Sequence, residues 1–220
     1  RKRLLALYEQ VQVIAYGHHA QLVEATGPKP DAIEEVAQLS EKRWDTGLGF
    51  EAISLPGTFA AGRLDEGTRV LLEAIGDHSF EGRCLDLASG SGVIGIALAT
   101  RGGEWTLSDV DHLAVEASRR SAALAERPVT CIASDGFAAL EGHFDYIVTN
   151  PPFHQGQATD LEVPRRFIRD AHLHLEPGGH LHLVANRFLP YESLITETFG
   201  SCTIVHEDKR FKVLSTRCAR

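Results

Sequence analysis

The feature that most constrains this fold is a short apolar segment that leads directly into a glycine-rich turn and then into a helical pattern. Residues 83–87 are typical of a buried strand, and Gly90, Gly92 and Gly95 follow with the spacing G-x-G-x-x-G. Glycine is needed where the backbone turns sharply and approaches a ligand closely. The pattern predicts a strand–turn–helix unit that binds a nucleotide-like ligand.

The same alternation of strand and helix continues along the chain. Helices are predicted over residues 93–100, 113–126, 163–175 and 191–199, and further strands over 105–109, 129–133, 146–148, 181–185, 203–205 and 211–215. Alternating elements indicate a doubly wound, mostly parallel sheet with helices on both faces. The last two strands form a hairpin, so we predict an α/β fold whose seven-stranded sheet has an antiparallel C-terminal edge.

Residues 1–45 differ from the rest of the chain. Residues 4–8 are predicted to end a helix, residues 11–16 to form a strand, and residues 31–44 to form a second helix after the break at 27–30. These elements are too few for a domain. We predict that residues 1–45 are the remnant of an N-terminal domain or an appendage, and that residues 46–220 form the main domain.

The net charge of −8, with His neutral, argues against a protein that coats nucleic acid non-specifically. A local basic surface remains compatible with this charge. Basic residues cluster in two places, which either contact RNA phosphates or form a solvated face: Arg165, Arg166 and Arg169, and then Lys209, Arg210, Lys212, Arg217 and Arg220.

No apolar segment approaches the length of a membrane span, and no signal peptide is visible, so we expect a cytoplasmic protein without membrane contact. His172, His174, His180 and His182 flank a Pro-Gly-Gly segment. Residues i and i+2 of a helix point apart, and a metal site is therefore not expected.

Carboxylates stand where the predicted strands end. Asp86 lies four residues before Gly90, where an anion opposes a pyrophosphate but suits a cofactor with an ammonium and a sulfonium. Asp109 can accept both ribose hydroxyls, or it can cap the following helix. Asp135 can accept a hydrogen bond from an adenine amine, or it can only stabilise a turn. The set favours S-adenosylmethionine over NAD, for which no hydride-transfer constellation follows.

The fourth strand leads into Asn150-Pro151-Pro152-Phe153. The two prolines fix the backbone and remove local N–H donors, so that the Asn150 side-chain carbonyl and the Pro151 backbone carbonyl can accept both N–H bonds of a planar amine. Phe153 offers a face on which a base can stack. Asn is neutral, and we predict that it polarises and orients the amine without acting as a base.

Chemistry alone leaves the acceptor of the methyl group open. Guanine N2, adenine N6 and a protein glutamine all carry planar amines that such a site can hold. A degenerate, non-catalytic RNA-binding or assembly domain is a further alternative, and so is a Pro-Pro loop that only ends a strand.

Several blocks resemble the bacterial ribosomal RNA guanine-N2 methyltransferases across about residues 45–217. They are residues 55–59 (LPGTF), 64–68 (LDEGT), 150–156 (NPPFHQG), 184–191 (VANRFLPY) and 210–214 (RFKVL). The resemblance implies a class I, Rossmann-like methyltransferase fold, S-adenosyl-L-methionine as cofactor, ribosomal RNA or a ribosomal subunit as partner, and methylation of guanine N2. It also implies two related domains, of which the C-terminal one, here residues 46–220, is catalytic.

The resemblance also carries over residue by residue. It implies that Asn150, Pro151, Pro152 and Phe153 are catalytic, and that the cofactor contacts Phe59, Asp65, Asp86, Ala88, Gly90, Gly92, Asp109, Val110, Ser134, Asp135 and Gly136. One position departs from the pattern, because relatives usually have glycine where this chain has Ala88. We expect Ala88 to resist a positive φ.

Overall fold

The computed structural model describes residues 4–5, 8–17, 20–29, 41–60, 62–152 and 162–219. The chain divides into two compact units, Arg1–Glu41 and Lys42–Arg220.

The described part of the first unit contains an antiparallel hairpin. Its strands are β1 (Tyr8–Gly17) and β2 (Ala20–Pro28), and their register shifts between Val13 and Ala15. The predicted strand at 11–16 is confirmed within β1, whereas β2 was not predicted. Leu4 and Leu5 are helical, but Tyr8 already belongs to β1, so the predicted helix does not extend that far.

The helix predicted for residues 31–44 is wrong at its end, and residues 31–40 lie outside the described part of the chain. Lys42–Asp45 forms strand β3, which pairs antiparallel with β4 (Glu51–Ser54). The Trp44 ring is buried, and its Nε1–H donates to Ser54 Oγ at 2.9 Å. Cross-strand pairing and burial of the ring therefore override the helical pattern of the sequence.

The second unit contains the predicted seven-stranded sheet. Its strands are β5 (Phe80–Leu87), β6 (Gly102–Asp109), β7 (Thr130–Ala133), β8 (Phe144–Thr149), β9 (Leu175–Asn186), β10 (Thr203–Glu207) and β11 (Phe211–Arg217). They lie in the order β10-β11-β9-β8-β5-β6-β7. The pairs β5–β6, β6–β7, β5–β8 and β8–β9 are parallel, and β9–β11 and β10–β11 are antiparallel. The predicted fold class is confirmed.

Helices cover the sheet on both faces. They are α1 (Glu66–Ile75), α2 (Val93–Leu98, followed by a 3-10 turn at Ala99–Arg101), α3 (His112–Leu124), α4 (Glu162–His174) and α5 (Tyr191–Phe199). Neighbouring residues of one strand point to opposite faces. Ile147 accordingly joins the core cluster that contains residues of α4 and α5, whereas Val148 joins the cluster that contains residues of α1 and α2.

Strand β9 begins earlier than the sequence predicts. It starts at Leu175 and includes the Pro-Gly-Gly segment, which was expected to separate a helix from a strand beginning at 181. A Cβ at Gly179 would lie 3.0 Å from the carbonyl oxygens of Phe144, Asp145 and Glu176. The glycine therefore permits a close approach of β9 to β8 instead of breaking the strand.

Among the described residues, no helix is both long and apolar enough to cross a membrane. The same residues contain no group of three or more His, Cys, Asp or Glu side chains arranged to hold a metal ion.

Candidate active site

The candidate site lies at the carboxyl ends of β5 and β8, which are adjacent in the sheet. Leu87 pairs with Thr149 in the register of these strands, so the chain leaves both strands at the same level. A groove of about 400 Å³ runs past the two exits. Among its lining residues are five that the sequence predicted: Phe59, Asp65, Ala88, Gly90 and Asn150.

The glycine-rich turn after β5 has the backbone that its sequence predicts. Gly90 and Gly92 have φ angles of 56° and 80°, in the region that favours glycine. A Cβ on Gly92 would lie 2.8 Å from Leu107 Cδ2 and 2.9 Å from Ser118 Oγ. The Ser118 hydroxyl also donates to the Gly90 carbonyl at 2.8 Å. Helix α3 and strand β6 thus hold the turn from behind.

Ala88 adopts a positive φ of 59°, the conformation that it is expected to resist. A left-handed residue with a Cβ costs about 1–2 kcal/mol. Hydrogen bonds on both sides offset the cost: Ser89 N–H donates to the Ser108 carbonyl at 2.9 Å, and Thr149 Oγ1 donates to the Leu87 carbonyl at 2.7 Å.

Asp86 lies beneath the turn and does not line the groove. It is fully buried, and its Oδ2 accepts the Gly95 N–H at 2.8 Å, which fixes the start of helix α2. Burial raises the pKa of the Asp86 carboxyl to about 7, and the neighbouring Asp109 charge adds to the rise, while the bond from Gly95 opposes it. Its predicted contact with a cofactor stays a prediction.

One hydroxyl that the sequence did not single out faces the groove. Ser89 is 8% exposed and lines the groove, and its Oγ is buried without a hydrogen-bond partner among the described residues. A buried polar atom without a partner is costly, so a ligand or a water molecule in the groove would stabilise it. Its position in the glycine-rich turn, between Ala88 and Gly90, was the signal in the sequence that could have identified it.

Asp109 ends β6 and braces the turn. Its Oδ2 accepts the Gly90 N–H at 2.9 Å and its Oδ1 accepts the Asp111 N–H at 2.9 Å. The alternative in which Asp109 caps helix α3 is wrong, because Asp111 is the cap and accepts the Leu113 N–H at 2.9 Å. A carboxylate has about four lone-pair positions, which leaves room for ribose hydroxyls. Val110, which follows, is exposed.

The segment Ser134–Gly136 forms a tight turn after β7. Ser134 Oγ donates to the Gly136 carbonyl at 2.8 Å and accepts the Ala139 N–H at 3.0 Å. The exposed Asp135 carboxylate is bound at both oxygens by the Arg166 guanidinium, which lowers the pKa of Asp135. An adenine amine that reached Asp135 would therefore share it with Arg166, and Arg166 is engaged here instead of presenting a free charge.

Asn150 is held in one orientation by two partners from helix α1 and its cap. Its Nδ2 donates to Asp65 Oδ2 at 3.0 Å and to Thr68 Oγ1 at 3.1 Å. Asp65 is the N-cap of α1 and also accepts the Thr68 N–H at 3.0 Å. Because a carboxylate only accepts, the amide nitrogen must face Asp65, which leaves the side-chain oxygen of Asn150 as an acceptor.

Space for this arrangement comes from Gly67. A Cβ there would lie 3.1 Å from Asp65 Oδ2, 3.5 Å from Asn150 Nδ2 and 3.3 Å from Phe211 Cε1.

The predicted catalytic residues beyond Asn150 differ in placement: Pro151 is buried and Pro152 is exposed, whereas Phe153 lies outside the described residues. Pro151 also lines a second, apolar pocket beneath helix α4.

The strand order, the turn after β5 and the antiparallel final pair define the Rossmann-like fold of the class I methyltransferases. The model of the methyltransferase small domain family matches residues 49–215, and the chain belongs to this family.

Two curated relatives are similar to most of this chain. The chain is 41% identical over 188 residues to the ribosomal RNA small subunit methyltransferase C of Hahella chejuensis, covering 84% of this chain and 54% of that protein. It is 38% identical over 193 residues to the protein of the same name from Salmonella choleraesuis, covering 86% and 56%. The chain thus spans about half the length of these curated relatives.

A solved structure matches the chain almost throughout. A 16S rRNA N2 guanine methyltransferase from Thermus thermophilus, in complex with AdoMet and guanosine, superimposes with a TM-score of 0.83 at 29% identity. The match covers 98% of this chain and 60% of that chain.

Proposed function

We propose that this chain transfers a methyl group from S-adenosylmethionine to the exocyclic N2 amine of a guanine in small-subunit ribosomal RNA. The observation that carries the proposal is the fixed amide of Asn150, whose nitrogen is bound by Asp65 and Thr68 and whose oxygen is left to accept. The relatives named as small-subunit methyltransferases, and the Thermus protein solved with AdoMet and guanosine, support the choice of cofactor and base.

The groove suits the amino-acid portion of this cofactor. Among the residues that line it, Asp65 contributes a carboxylate and Arg63 a guanidinium, which match an ammonium and a carboxylate respectively. Ser89 contributes the hydroxyl that has no partner among the described residues. When bound, S-adenosylmethionine supplies an electrophilic methyl group on a positively charged sulfur. The contacts of Asp109 with a ribose and of Asp135 with an adenine belong to this proposal.

Asn150 and Pro151 act on the amine. The lone pair of a guanine N2 amine is delocalised into the ring, so the nitrogen is a poor nucleophile. Two carbonyl oxygens that accept its N–H bonds stabilise the positive charge that develops as nitrogen bonds to carbon. The Asp65 carboxylate behind the amide polarises it, and this makes the Asn150 oxygen a better acceptor.

Positioning supplies much of the expected rate enhancement. The Asn150 amide makes two hydrogen bonds through its nitrogen, and Pro151 and Pro152 fix the backbone that follows, so the acceptors lose little freedom on binding. Asn150 is too weak a base to remove the proton, and the methylated amine releases it to water.

Nucleoside analysis tests the proposal. The chain is incubated with S-adenosylmethionine labelled on its methyl group and with either small-subunit RNA or small ribosomal subunits. N2-methylguanosine is the expected product. N6-methyladenosine would overturn the proposed acceptor, and no label in either substrate would overturn the proposed function.

A further inference from the structure

The turn between β9 and α5 carries an exposed aromatic ring next to the candidate site. Phe188 is 78% exposed, the highest value for a large apolar side chain among the described residues. Its neighbours are fixed: Arg187 N–H donates to the Arg210 carbonyl at 2.8 Å, Leu189 N–H donates to the Asn186 carbonyl at 3.0 Å, and Leu189 is buried. The ring is therefore presented to solvent by a rigid backbone.

Side-chain pairs anchor this turn from both ends. Arg187 Nε donates to Glu207 Oε1 at 2.7 Å. At the start of α5, Glu192 receives two bonds of 2.6 Å from Nζ of Lys212, whose side chain is 5% exposed. These pairs hold the turn in place from β10, β11 and α5.

The turn borders on the amine site. Strands β8 and β9 are parallel with Thr149 opposite Leu183, so Phe188 follows the edge at which Asn150 leaves β8. Phe211, opposite Asn186 at the start of β11, reaches the same point near Gly67 as the Asn150 amide. A base neighbouring one held at Asn150 falls within reach of this edge.

Charges around the ring are balanced. Arg210 pairs with Glu66, Arg187 pairs with Glu207, and Asp208 accepts the N–H groups of Arg210 and Phe211 at 2.7 Å each. Lys209 forms no ion pair within the described part of the chain, and with it three cations face three carboxylates. Attraction of phosphates is therefore weak here, and the ring offers an aromatic face as its main binding feature.

We propose that Phe188 is a stacking platform for the base next to the target guanine. This inference rests on the proposed function, because a guanine that enters the site must leave its stack and so exposes the face of its neighbour. Phe188 replaces the lost stacking contact. The partner is an unpaired RNA base, and stacking on the ring depends little on the base sequence.

Kinetics with the RNA substrate test the platform. Phe188→Ala is expected to raise the KM for RNA about 5- to 100-fold with little change in kcat or in cofactor affinity. Phe188→Trp should retain the wild-type KM, whereas Phe188→Leu should behave like the Ala variant because it lacks a flat face. Ile204→Ala, at an exposed position of β10, is the matched control and should leave KM unchanged.

A wild-type KM in Phe188→Ala would overturn the proposal. A wild-type KM in Phe188→Leu would do the same, since it would indicate an apolar contact, for example with a protein, instead of stacking. Because the ring is exposed, these variants are expected to fold, and circular dichroism checks this.

A spectroscopic measurement keeps this test separate from that of the proposed function. The two native tryptophans, Trp44 and Trp105, are buried, so Phe188→Trp adds an exposed reporter. A short guanine-containing single-stranded oligoribonucleotide should quench its fluorescence, whereas inorganic polyphosphate should not. Quenching in a protein that methylates no RNA would retain the platform and reject the proposed function. Methylation without quenching and with an unchanged KM would reject the platform alone.

Discussion

The two ends of the candidate site are built in different ways. At the cofactor turn, partners are near in sequence: Asp86 bonds Gly95 nine residues later, and Asp109 bonds Gly90 across 19 residues. At the amine end, Asn150 depends on Asp65 and Thr68, which lie 85 and 82 residues away. The turn is thus set largely by a local strand–turn–helix unit, whereas the amide takes its orientation only when α1 has docked beside β8.

Removing the amide should give the largest effect and separate the two ends. Asn150→Ala removes one of two carbonyl acceptors, and a roughly 100- to 1000-fold loss of kcat is expected, by analogy with the loss of one preorganised group at a developing charge. Cofactor affinity, measured by calorimetry, should change less than about twofold. Near-normal turnover would show that Asn150 does not hold the amine.

Asp65 binds the Asn150 amide and caps α1, so its substitution tests how far kcat depends on this contact. Asp65→Ala removes both the cap of α1 and the orienting partner of Asn150, so we expect about a 10- to 100-fold fall in kcat and about 1 kcal/mol loss of stability. Asp65→Asn is the matched control, since Asn is an equally good cap. It should restore the unfolding free energy but only part of kcat. Full recovery of kcat would mean that the carboxylate charge is not needed.

The local end is tested by the pH dependence of stability. The pKa of Asp86 is about 7 in the folded chain, above the ordinary 3.8, so between these values the folded state holds a proton that the unfolded state has released. Stability should therefore fall as pH rises through this window. In the wild-type protein this fall should amount to about 2–3 kcal/mol between about pH 5 and about pH 8 in urea unfolding, and Asp86→Asn should remove it.

His182 contributes a slope of the opposite sign, because burial lowers its pKa to about 4 and its stabilising effect is lost as pH falls below its ordinary value of 6.5. The His182 contribution is the same in the wild-type protein and in Asp86→Asn, so the difference between their pH slopes is due to Asp86. Equal slopes would show that Asp86 is ionised in the folded chain throughout the window.

The smallest expected effect lies at Ala88. Ala88→Gly relieves the left-handed strain but gives the unfolded chain more freedom, so the net gain should be about 0.5–1 kcal/mol. Thermal unfolding measures it, and Ala138→Gly, at an exposed position in the turn after β7, is a control without positive φ. A loss of stability at Ala88 would mean that its Cβ makes contacts worth more than the strain.

The contrast also explains what the sequence could predict. The alternation of strands and helices, the turn at Gly90 and Gly92, and the helix at 191–199 follow from local periodicity and glycine spacing. Helix α1 was not predicted, and the strand at 42–45 was predicted as helix, because pairing with β4 decides its state. The orientation of Asn150 was likewise beyond local patterns, since it depends on contacts that close only in the assembled fold.

The ion pair between Asp135 and Arg166 escaped prediction for the same reason, because it also joins residues that are distant in the sequence. Asp135 follows β7, whereas Arg166 lies on α4, and no spacing rule relates a turn to a helix 31 residues later. The exposed ring of Phe188 was visible in sequence only as part of a family resemblance. Its rigidity became apparent through Arg210 and Lys212, which lie just before and within β11, the strand that pairs with β9.

The direction of β11 determines at what stage of synthesis the candidate site can be completed. Because this strand runs opposite to β9, its first residue, Phe211, lies at the edge of the sheet that carries the candidate site, and its later residues lie progressively farther from it. A chain that is still being synthesised therefore lacks the Phe211 side chain at this edge until Phe211 has left the ribosome, long after Asp65 and Asn150 have emerged. The candidate site is therefore complete only once β11 has paired with β9, although Asp65 and Asn150 are synthesised earlier.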